Sequence, residues 1–238
     1  MIEPRVVYED ADLLVVAKPS GMPTTAPHGA ECLTAWAEDQ QGRQLHPTSR
    51  LDAEVTGLVT FAITRRGIAH LIEARRKGRY GRRYLALASG TFADAEGIWD
   101  RAIAIDPKDR RLRVAVDPGA RGQRVQRART AYEVGARTEH VSLLWLRPHT
   151  GRTHQLRVHA ADAGHPLLGD VRYGGPKRLV LEDGRVLAAR RVMLHCARLE
   201  LPVVEGEGAL VLRADAPDDL CQLWIALGGA SDALAIDP

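Results

Sequence analysis

A carboxylate in a tight turn is the first candidate for chemistry in this chain. In His46-Pro47-Thr48-Ser49-Arg50-Leu51-Asp52-Ala53-Glu54-Val55-Thr56-Gly57, Asp52 lies two residues after a fixed cation, Arg50, and four before Thr56-Gly57. That combination would hold the acid at a sharp bend ahead of the apolar run Leu58, Val59, Phe61, Ala62 and Ile63. Such a bend presents a reactive group outward from a rigid strand. An aspartate beside Thr-Gly can equally accept hydrogen bonds from its own backbone in a surface turn. The other polar stretches decide between these readings.

The richest of them is Arg147-Pro148-His149-Thr150-Gly151-Arg152-Thr153-His154-Gln155-Leu156-Arg157-Val158-His159. Its three histidines recur every five residues, whereas side chains three or four apart share a helix face, so the two-histidine zinc helix is absent. A guanidinium at Arg157 can fork onto a carboxylate, keep it ionised in a partly dry pocket and orient it. The bland alternative for a lone arginine is a solvated helix face. With Tyr84 on one face of an expected strand, Asp52, Arg157 and Tyr84 make an acid, a clamp and a stacking platform.

Several elements must position these groups. Val6-Val7-Tyr8 and Leu13 to Ala17, separated by Glu9-Asp10-Ala11-Asp12, read as a hairpin. Lys18-Pro19-Ser20-Gly21 breaks it, and Cys32 to Gln40 reads as a short helix. Thr64 can cap a helix with Ile68, Leu71 and Ile72 on its apolar face, Arg75, Arg76 and Lys77 at its C-terminal end, and Gly78 as its stop. Arg82 to Gly90 reads as a strand, 97–116 as a β excursion, and 127–135 and 141–146 as further strands, so the middle of the chain is mainly antiparallel sheet. The period then changes: Thr153 is the expected N-cap of a helix with Leu156, Ala160 and Ala163 on one face. A turn-rich loop follows over 167–175, then strands at Val192 to His195 and Leu199 to Leu201, and a terminal helix over 217–227. Residues 228–238 read as a loose tail.

At 238 residues, 45% hydrophobic and 26% charged, the chain has the composition of a globular protein able to bury one sizeable core. Three scattered cysteines, Cys32, Cys196 and Cys221, read as reduced thiols. Without a basic region followed by an apolar run, or eighteen consecutive apolar residues, a secreted or membrane-spanning protein is disfavoured and a cytoplasmic one expected. The net charge of +3 is modest, but arginine crowds two stretches, Arg65 to Arg83 and Lys108 to Arg129, the latter including Arg121. Forked guanidinium groups so concentrated suit phosphate contacts, although arginine usage can also reflect genomic composition.

Taken in order, these motifs resemble the RluA family of RNA pseudouridine synthases. The likeness runs from about Val6 to about Leu227 and includes Tyr8-Glu9-Asp10, Lys18-Pro19-Ser20-Gly21, Arg50-Leu51-Asp52, Thr56-Gly57-Leu58 and Tyr84-Leu85-Ala86-Leu87. It continues through Thr150 to His159, Gly164-His165-Pro166, Gly169-Asp170 and Leu194-His195. The resemblance implies an α/β fold on a long, bent, mainly antiparallel sheet with a central RNA-binding cleft, one catalytic domain over 1–227, and cofactor-free isomerisation of uridine in ribosomal or transfer RNA. It makes Asp52 the catalytic acid, Tyr84 the residue that stacks on the base and is placed for the C5 proton, and Arg157 the partner of Asp52. Arg50 fills the gap left by a flipped nucleotide, and Arg152, His154 and Gln155 contact RNA. No metal is required, no membrane is involved, and a monomer is expected.

The chain departs from the family in having Ser49 where histidine usually precedes Arg-Leu-Asp, with His46 three residues earlier, and Val55-Thr56-Gly57 where Thr-Ser-Gly is usual. It also begins directly at the catalytic hairpin, without room for the small N-terminal RNA-binding module of many relatives, so the catalytic domain is expected to recognise RNA itself. Two competing readings are an RNA-binding protein without catalysis, which would have no use for an acid, a tyrosine and an arginine in three motifs, and a metal-dependent nucleic-acid enzyme using the His149 to His165 cluster, which has poor ligand spacing.

Overall fold

The computed structural model describes residues 3–27, 30–120 and 124–235; Arg121 lies outside these. The elements, in chain order, begin with β1 (Arg5–Glu9), β2 (Leu13–Lys18), α1 (Leu33–Gln41), β3 (His46–Pro47), β4 (Thr56–Ala62) and α2 (Arg65–Arg76). Next come β5 (Gly81–Ser89), β6 (Glu96–Trp99), β7 (Ala102–Ile105), β8 (Arg113–Val116), β9 (Thr130–Arg137), β10 (Val141–Pro148) and α3 (Gln155–Asp162). Last are β11 (Arg178–Val180), β12 (Val186–Ala188), β13 (Leu194–Pro202), β14 (Ala209–Arg213) and α4 (Asp218–Ala226). The chain divides into two compact units, one of Met1–Arg82 with His195–Asp215, the other of Arg83–Leu194 with Ala216–Asp237.

In the first unit β1 and β2 form the expected antiparallel hairpin, closed by Asp10, whose carboxylate accepts from the backbone amides of Asp12 and Leu13 at 2.8 and 2.7 Å. Strand β2 pairs antiparallel with β4, from Leu13 opposite Ala62 to Lys18 opposite Gly57. All seven residues of β4 are buried, which explains its nearly unbroken apolar sequence. On the other side β4 meets β13 in parallel, His195 opposite Thr56 and Cys196 opposite Gly57, and β14 then adds antiparallel to β13. Thr64 caps α2 as expected, its hydroxyl accepting from the Gly67 amide at 3.1 Å. The buried face of α2 is Gly67, Leu71 and Ala74, and Ile72, expected on it, is 60% exposed. It stands one residue beyond Leu71, a turn of about 100° away from that face.

Gly57 is the backbone constraint closest to the Asp52 turn. It has φ 112°, and a Cβ there would sit 2.3 Å from the Cys196 carbonyl oxygen. Gly57→Ala is therefore expected to cost at least about 2 kcal/mol of stability, since it adds both strain and a clash with backbone. The midpoint of urea unfolding measures this.

The second unit is antiparallel throughout its sheet: β5 pairs with β10, β10 with β9, and β9 with β6. Tyr84 lies opposite Leu146 on β10. The expected β excursion includes a separate hairpin, β7 with β8, and β11 with β12 makes another, in a stretch for which no element is expected. Helix α3 packs against β8, β9 and β10, and α4 against β12. The α/β class is as expected.

Two local expectations fail here. Thr153 is exposed and caps nothing; α3 begins after His154, whose φ of 57° is left-handed and which makes no side-chain cap. Residues 155–160 of α3 are all buried, so the helix has no solvated face over that stretch, and Ala163 is exposed at its C-cap. The expected tail is also more ordered than its composition suggests: Ser231–Leu234 form a 3-10 turn, Leu234 is 9% exposed, and Trp224 Nε1 donates to the Ala230 carbonyl at 2.8 Å.

Candidate active site

In the first unit, hydrogen bonds to the backbone on either side of it hold the turn bearing Asp52. The Val55 amide donates to the Asp52 carbonyl at 3.1 Å, which closes the turn. Just before it, Thr24 Oγ1 donates to the Leu51 carbonyl and accepts from the Leu51 amide, both at 2.9 Å. Just after it, the Ala53 carbonyl accepts from the Gly21 amide at 2.8 Å and from Lys18 Nζ at 3.1 Å. Lys18 is 2% exposed and also donates to the Pro19 and Met22 carbonyls at 2.8 and 2.7 Å. Three carbonyls accepting from one buried ammonium offset much of the cost of taking it out of water. Asp52 is half-buried and Arg50 exposed.

Ser49, the departure from the usual histidine, is built into β4. Its Oγ accepts from the Thr60 amide at 2.9 Å and from Thr60 Oγ1 at 3.0 Å. Thr60 Oγ1 in turn meets Tyr80 Oη at 2.9 Å, and the Arg75 guanidinium carbon lies 4.2 Å from the Tyr80 ring centre. Nearby, His195 Nε2 contacts the Ala214 carbonyl at 2.9 Å, which can only accept, so that nitrogen carries the proton. Thr56 Oγ1 then donates to His195 Nδ1, at 2.9 Å.

In the second unit, the 147–159 motif runs from the end of β10 through a loop over 149–154 into α3, and Gln155 ties that loop to the start of β9. Gln155 is 4% exposed; its amide nitrogen donates to the Arg129 carbonyl and Thr130 Oγ1 at 2.9 and 3.0 Å. Its amide oxygen accepts from Thr150 Oγ1 and the Arg152 backbone at 2.7 and 3.0 Å. Both donors and both lone pairs are used within the protein. Gln155 therefore fixes the loop from beneath, and Arg152, half-buried, donates its Nε to the Arg127 carbonyl at 3.0 Å.

The three histidines of the motif face different partners. His149 is exposed; His154 Nδ1 meets Tyr173 Oη at 2.6 Å; His159, 1% exposed, bonds the Arg101 carbonyl through Nε2 and Thr130 Oγ1 through Nδ1, both at 2.9 Å. Among the described residues no group of three or more His, Cys, Asp or Glu is placed to hold a metal ion. Burial pushes the His159 ring below the ordinary imidazole range. A depressed folded-state value means stability is fully present above the unfolded pKa of about 6.5 and is lost as pH falls through the folded value, at up to ~1.4 kcal/mol per pH unit. Between pH 7 and 5 the unfolding free energy of the wild type is expected to fall more than that of His159→Gln, as parallel urea titrations would show.

Arg157 is 2% exposed and forks onto Asp170, Nε to Oδ2 and Nη2 to Oδ1, both at 2.7 Å. Asp170 is 1% exposed, so this is a buried, bidentate ion pair. The solvated-face reading of Arg157 is thus wrong. Asp170 was not assigned this role from sequence, although its motif Gly169-Asp170 was noted. Gly169, next to Asp170, lets the chain there pack on the Arg191 backbone, since a Cβ would lie 1.8 Å from the Arg191 carbonyl oxygen. The Arg157 guanidinium also lies 5.0 Å from the Tyr173 ring centre. Tyr84 is 4% exposed on β5. Of the residues singled out from sequence, Arg50 and Asp52 belong to the first unit and Tyr84, Arg152, His154, Gln155 and Arg157 to the second.

Part of the arginine surface is internally neutralised: Arg66 pairs with Asp12 and Glu205, Arg76 and Lys77 share Glu73, and Arg111 pairs with Asp109. Arg65, Lys108, Arg110, Arg124, Arg127 and Arg129 are exposed and form no ion pair among the described residues. No helix among those residues is long and apolar enough to cross a membrane.

Comparison with known proteins identifies the family. The family model described as RNA pseudouridylate synthase matches residues 12–162. The ribosomal large subunit pseudouridine synthase D of Haemophilus ducreyi is 34% identical over 94% of this chain and 70% of its own length. The tRNA pseudouridine synthase C of Vibrio parahaemolyticus is 26% identical, with 94% of each protein aligned. The ribosomal large subunit pseudouridine synthase C of Buchnera aphidicola is 32% identical over 71% of this chain, which spans about half (54%) of that relative's length. Among solved structures, human RNA pseudouridylate synthase domain containing 4 superposes with a TM-score of 0.74 at 26% identity, covering 94% of this chain and 92% of that one. A match across more than half of the sequence, together with these relatives, makes the chain a member of the RNA pseudouridylate synthase family, of the RluA type, whose enzymes isomerise uridine in RNA to pseudouridine.

Proposed function

We propose that this protein isomerises a uridine of ribosomal RNA, with 1–227 as its catalytic domain and Asp52 as the catalytic carboxylate. The observation that carries the reading is the family match over 12–162, a span that contains Asp52, Tyr84 and Arg157. Ribosomal RNA is favoured by the relatives at 34% identity named as acting on it; transfer RNA is the alternative raised by the relative aligned over 94% of its length.

In the reaction the N1–C1′ bond breaks, the uracil turns while held, C5 joins C1′, the C5 proton leaves and N1 is protonated. A carboxylate at Asp52 can attack C1′, or take the 2′ hydrogen, as oxocarbenium character develops. Tyr84 holds the detached base by stacking, worth roughly 1–3 kcal/mol, and its hydroxyl assists loss of the C5 proton. A guanidinium has five N–H donors, so Arg157 can keep its fork on Asp170 and also serve Asp52. Flipping the nucleotide is required for access to the bond, and Arg50 fills the space it leaves. Arg152 and His154 contact RNA, while Gln155 acts through the loop it holds.

The isomerisation is redox-neutral, consumes no water and transfers no phosphoryl group, so no Lewis acid is needed. The protein is proposed to act as a monomer in the cytoplasm, without metal or cofactor. Mapping pseudouridine in ribosomal and transfer RNA transcripts after incubation with purified protein tests the substrate. A new site in ribosomal RNA supports the proposal; modification confined to transfer RNA replaces its substrate, and none in either overturns it. Tyr84→Phe is expected to lose at least about 10²-fold in single-turnover rate while RNA affinity changes little; equal rates would confine Tyr84 to stacking.

A further inference from the structure

Tyr173 touches both the polar groups of the 147–159 motif and the arginine-rich hairpin. It ends a 3-10 turn, Val171–Tyr173, three residues after Asp170. Its hydroxyl accepts from the Arg113 amide at 3.0 Å and meets His154 Nδ1 at 2.6 Å. Its ring lies under the Arg157 guanidinium, 5.0 Å from centre to carbon, and packs against the small core of Ile103, Ala128 and Val158. All of these residues lie in the second unit.

The surroundings suggest more than packing. Arg113 begins β8, and the connection from β7 to β8 carries the exposed Lys108 and Arg110. Hydrogen bonds between Ile103 and Gln126, at 2.8 and 2.9 Å, tie the base of that hairpin to the chain returning toward β9. His154 sits in the left-handed region, φ 57°, directly before α3. A non-glycine residue there stores strain that its neighbours must hold, and such residues cluster at functional sites. A phenol that accepts from an amide can donate to an unprotonated imidazole nitrogen, so one hydroxyl fixes both the start of β8 and the His154 ring.

We propose that Tyr173 is a positioning residue for the isomerisation, coupling RNA seated on the β7–β8 hairpin to the placement of His154 and Arg157. The inference rests on the functional reading above, in which Arg157 serves the catalytic carboxylate. Removing the hydroxyl leaves the ring beneath Arg157 and breaks both hydrogen bonds, so Tyr173→Phe separates coupling from packing.

The experiment compares wild type, Tyr173→Phe, His154→Asn and the double variant on one RNA transcript, measuring thermal midpoint, RNA dissociation constant and single-turnover rate at saturating RNA. Asparagine is chosen at 154 because it tolerates the left-handed conformation. Tyr173→Phe is expected to keep its thermal midpoint and RNA affinity and to lose about tenfold in rate. The double variant should lose no more than the worse single variant, because both changes break one link. An unchanged Tyr173→Phe rate, a loss confined to affinity or stability, or multiplying losses in the double variant would overturn the proposal. Asp52→Asn is run alongside: if wild type is active and Asp52→Asn is not, the functional reading stands whatever Tyr173 does, whereas an inactive wild type or an active Asp52→Asn points to failure of that reading instead.

Discussion

Asp52→Asn is expected to abolish pseudouridine formation, a loss on the order of 10⁴-fold or more in single-turnover rate, while the fold and RNA affinity stay near those of the wild type. The amide keeps the size and shape of the carboxylate but is neither nucleophile nor base. The turn itself should survive, because the hydrogen bonds that hold it run through backbone carbonyls and amides: Thr24 to Leu51, Gly21 and Lys18 to Ala53, and Val55 to Asp52. Tritium release from C5-labelled uridine measures the rate, and filter binding the affinity. Turnover within tenfold of wild type would remove Asp52 from the chemistry.

The second large effect is on stability. Asp170→Ala would leave the Arg157 guanidinium, 2% exposed, without the carboxylate it now forks onto at 2.7 Å. Breaking a buried pair from one side costs about 3–5 kcal/mol, because the guanidinium loses a carboxylate that offsets its desolvation. For a chain of this size that lowers the thermal midpoint by roughly 6–20 °C. Replacing both partners with leucine should recover much of the loss, since neither charge then remains to be desolvated. Activity should not return with it, because the guanidinium proposed to act with Asp52 is gone. A stable Asp170→Ala protein would show that the pair contributes little to holding α3, and an active double-leucine variant would take Arg157 out of the reaction.

How far the sequence could be read depends on what kind of signal each residue left. Local signals were sound: Thr64 capped its helix, Gly78 ended it with φ 67°, and Asp10 closed the first hairpin. The β11–β12 hairpin also left a signal, for Leu179-Val180 and Val186-Leu187 flank an Asp183-Gly184 turn, although no element is expected there. Periodicity misled at α3. Leu156 and Ala160 are buried as their spacing implied, but so are Gln155, Arg157 and His159, because polar partners rather than apolar neighbours satisfy them. Thr153 had the right chemistry for a cap and lost to a left-handed residue after it. The Arg157–Asp170 pair spans thirteen residues with no periodic relation; the trace it left was a single acid in the apolar, glycine-rich run Leu167-Leu168-Gly169-Asp170. Ser49 shows the reverse case, a departure whose consequence only coordinates reveal, as its hydroxyl is spent on Thr60.

The most direct test of the account is tritium release from RNA labelled at uridine C5, using purified protein treated with excess EDTA and dialysed. The account predicts release matched by formation of pseudouridine, undiminished by chelation and absent in Asp52→Asn, with RNA affinity falling steeply as salt displaces arginine–phosphate contacts. Activity lost on chelation and restored only by one metal ion, with Asp52→Asn still active, would contradict it and move the chemistry away from Asp52.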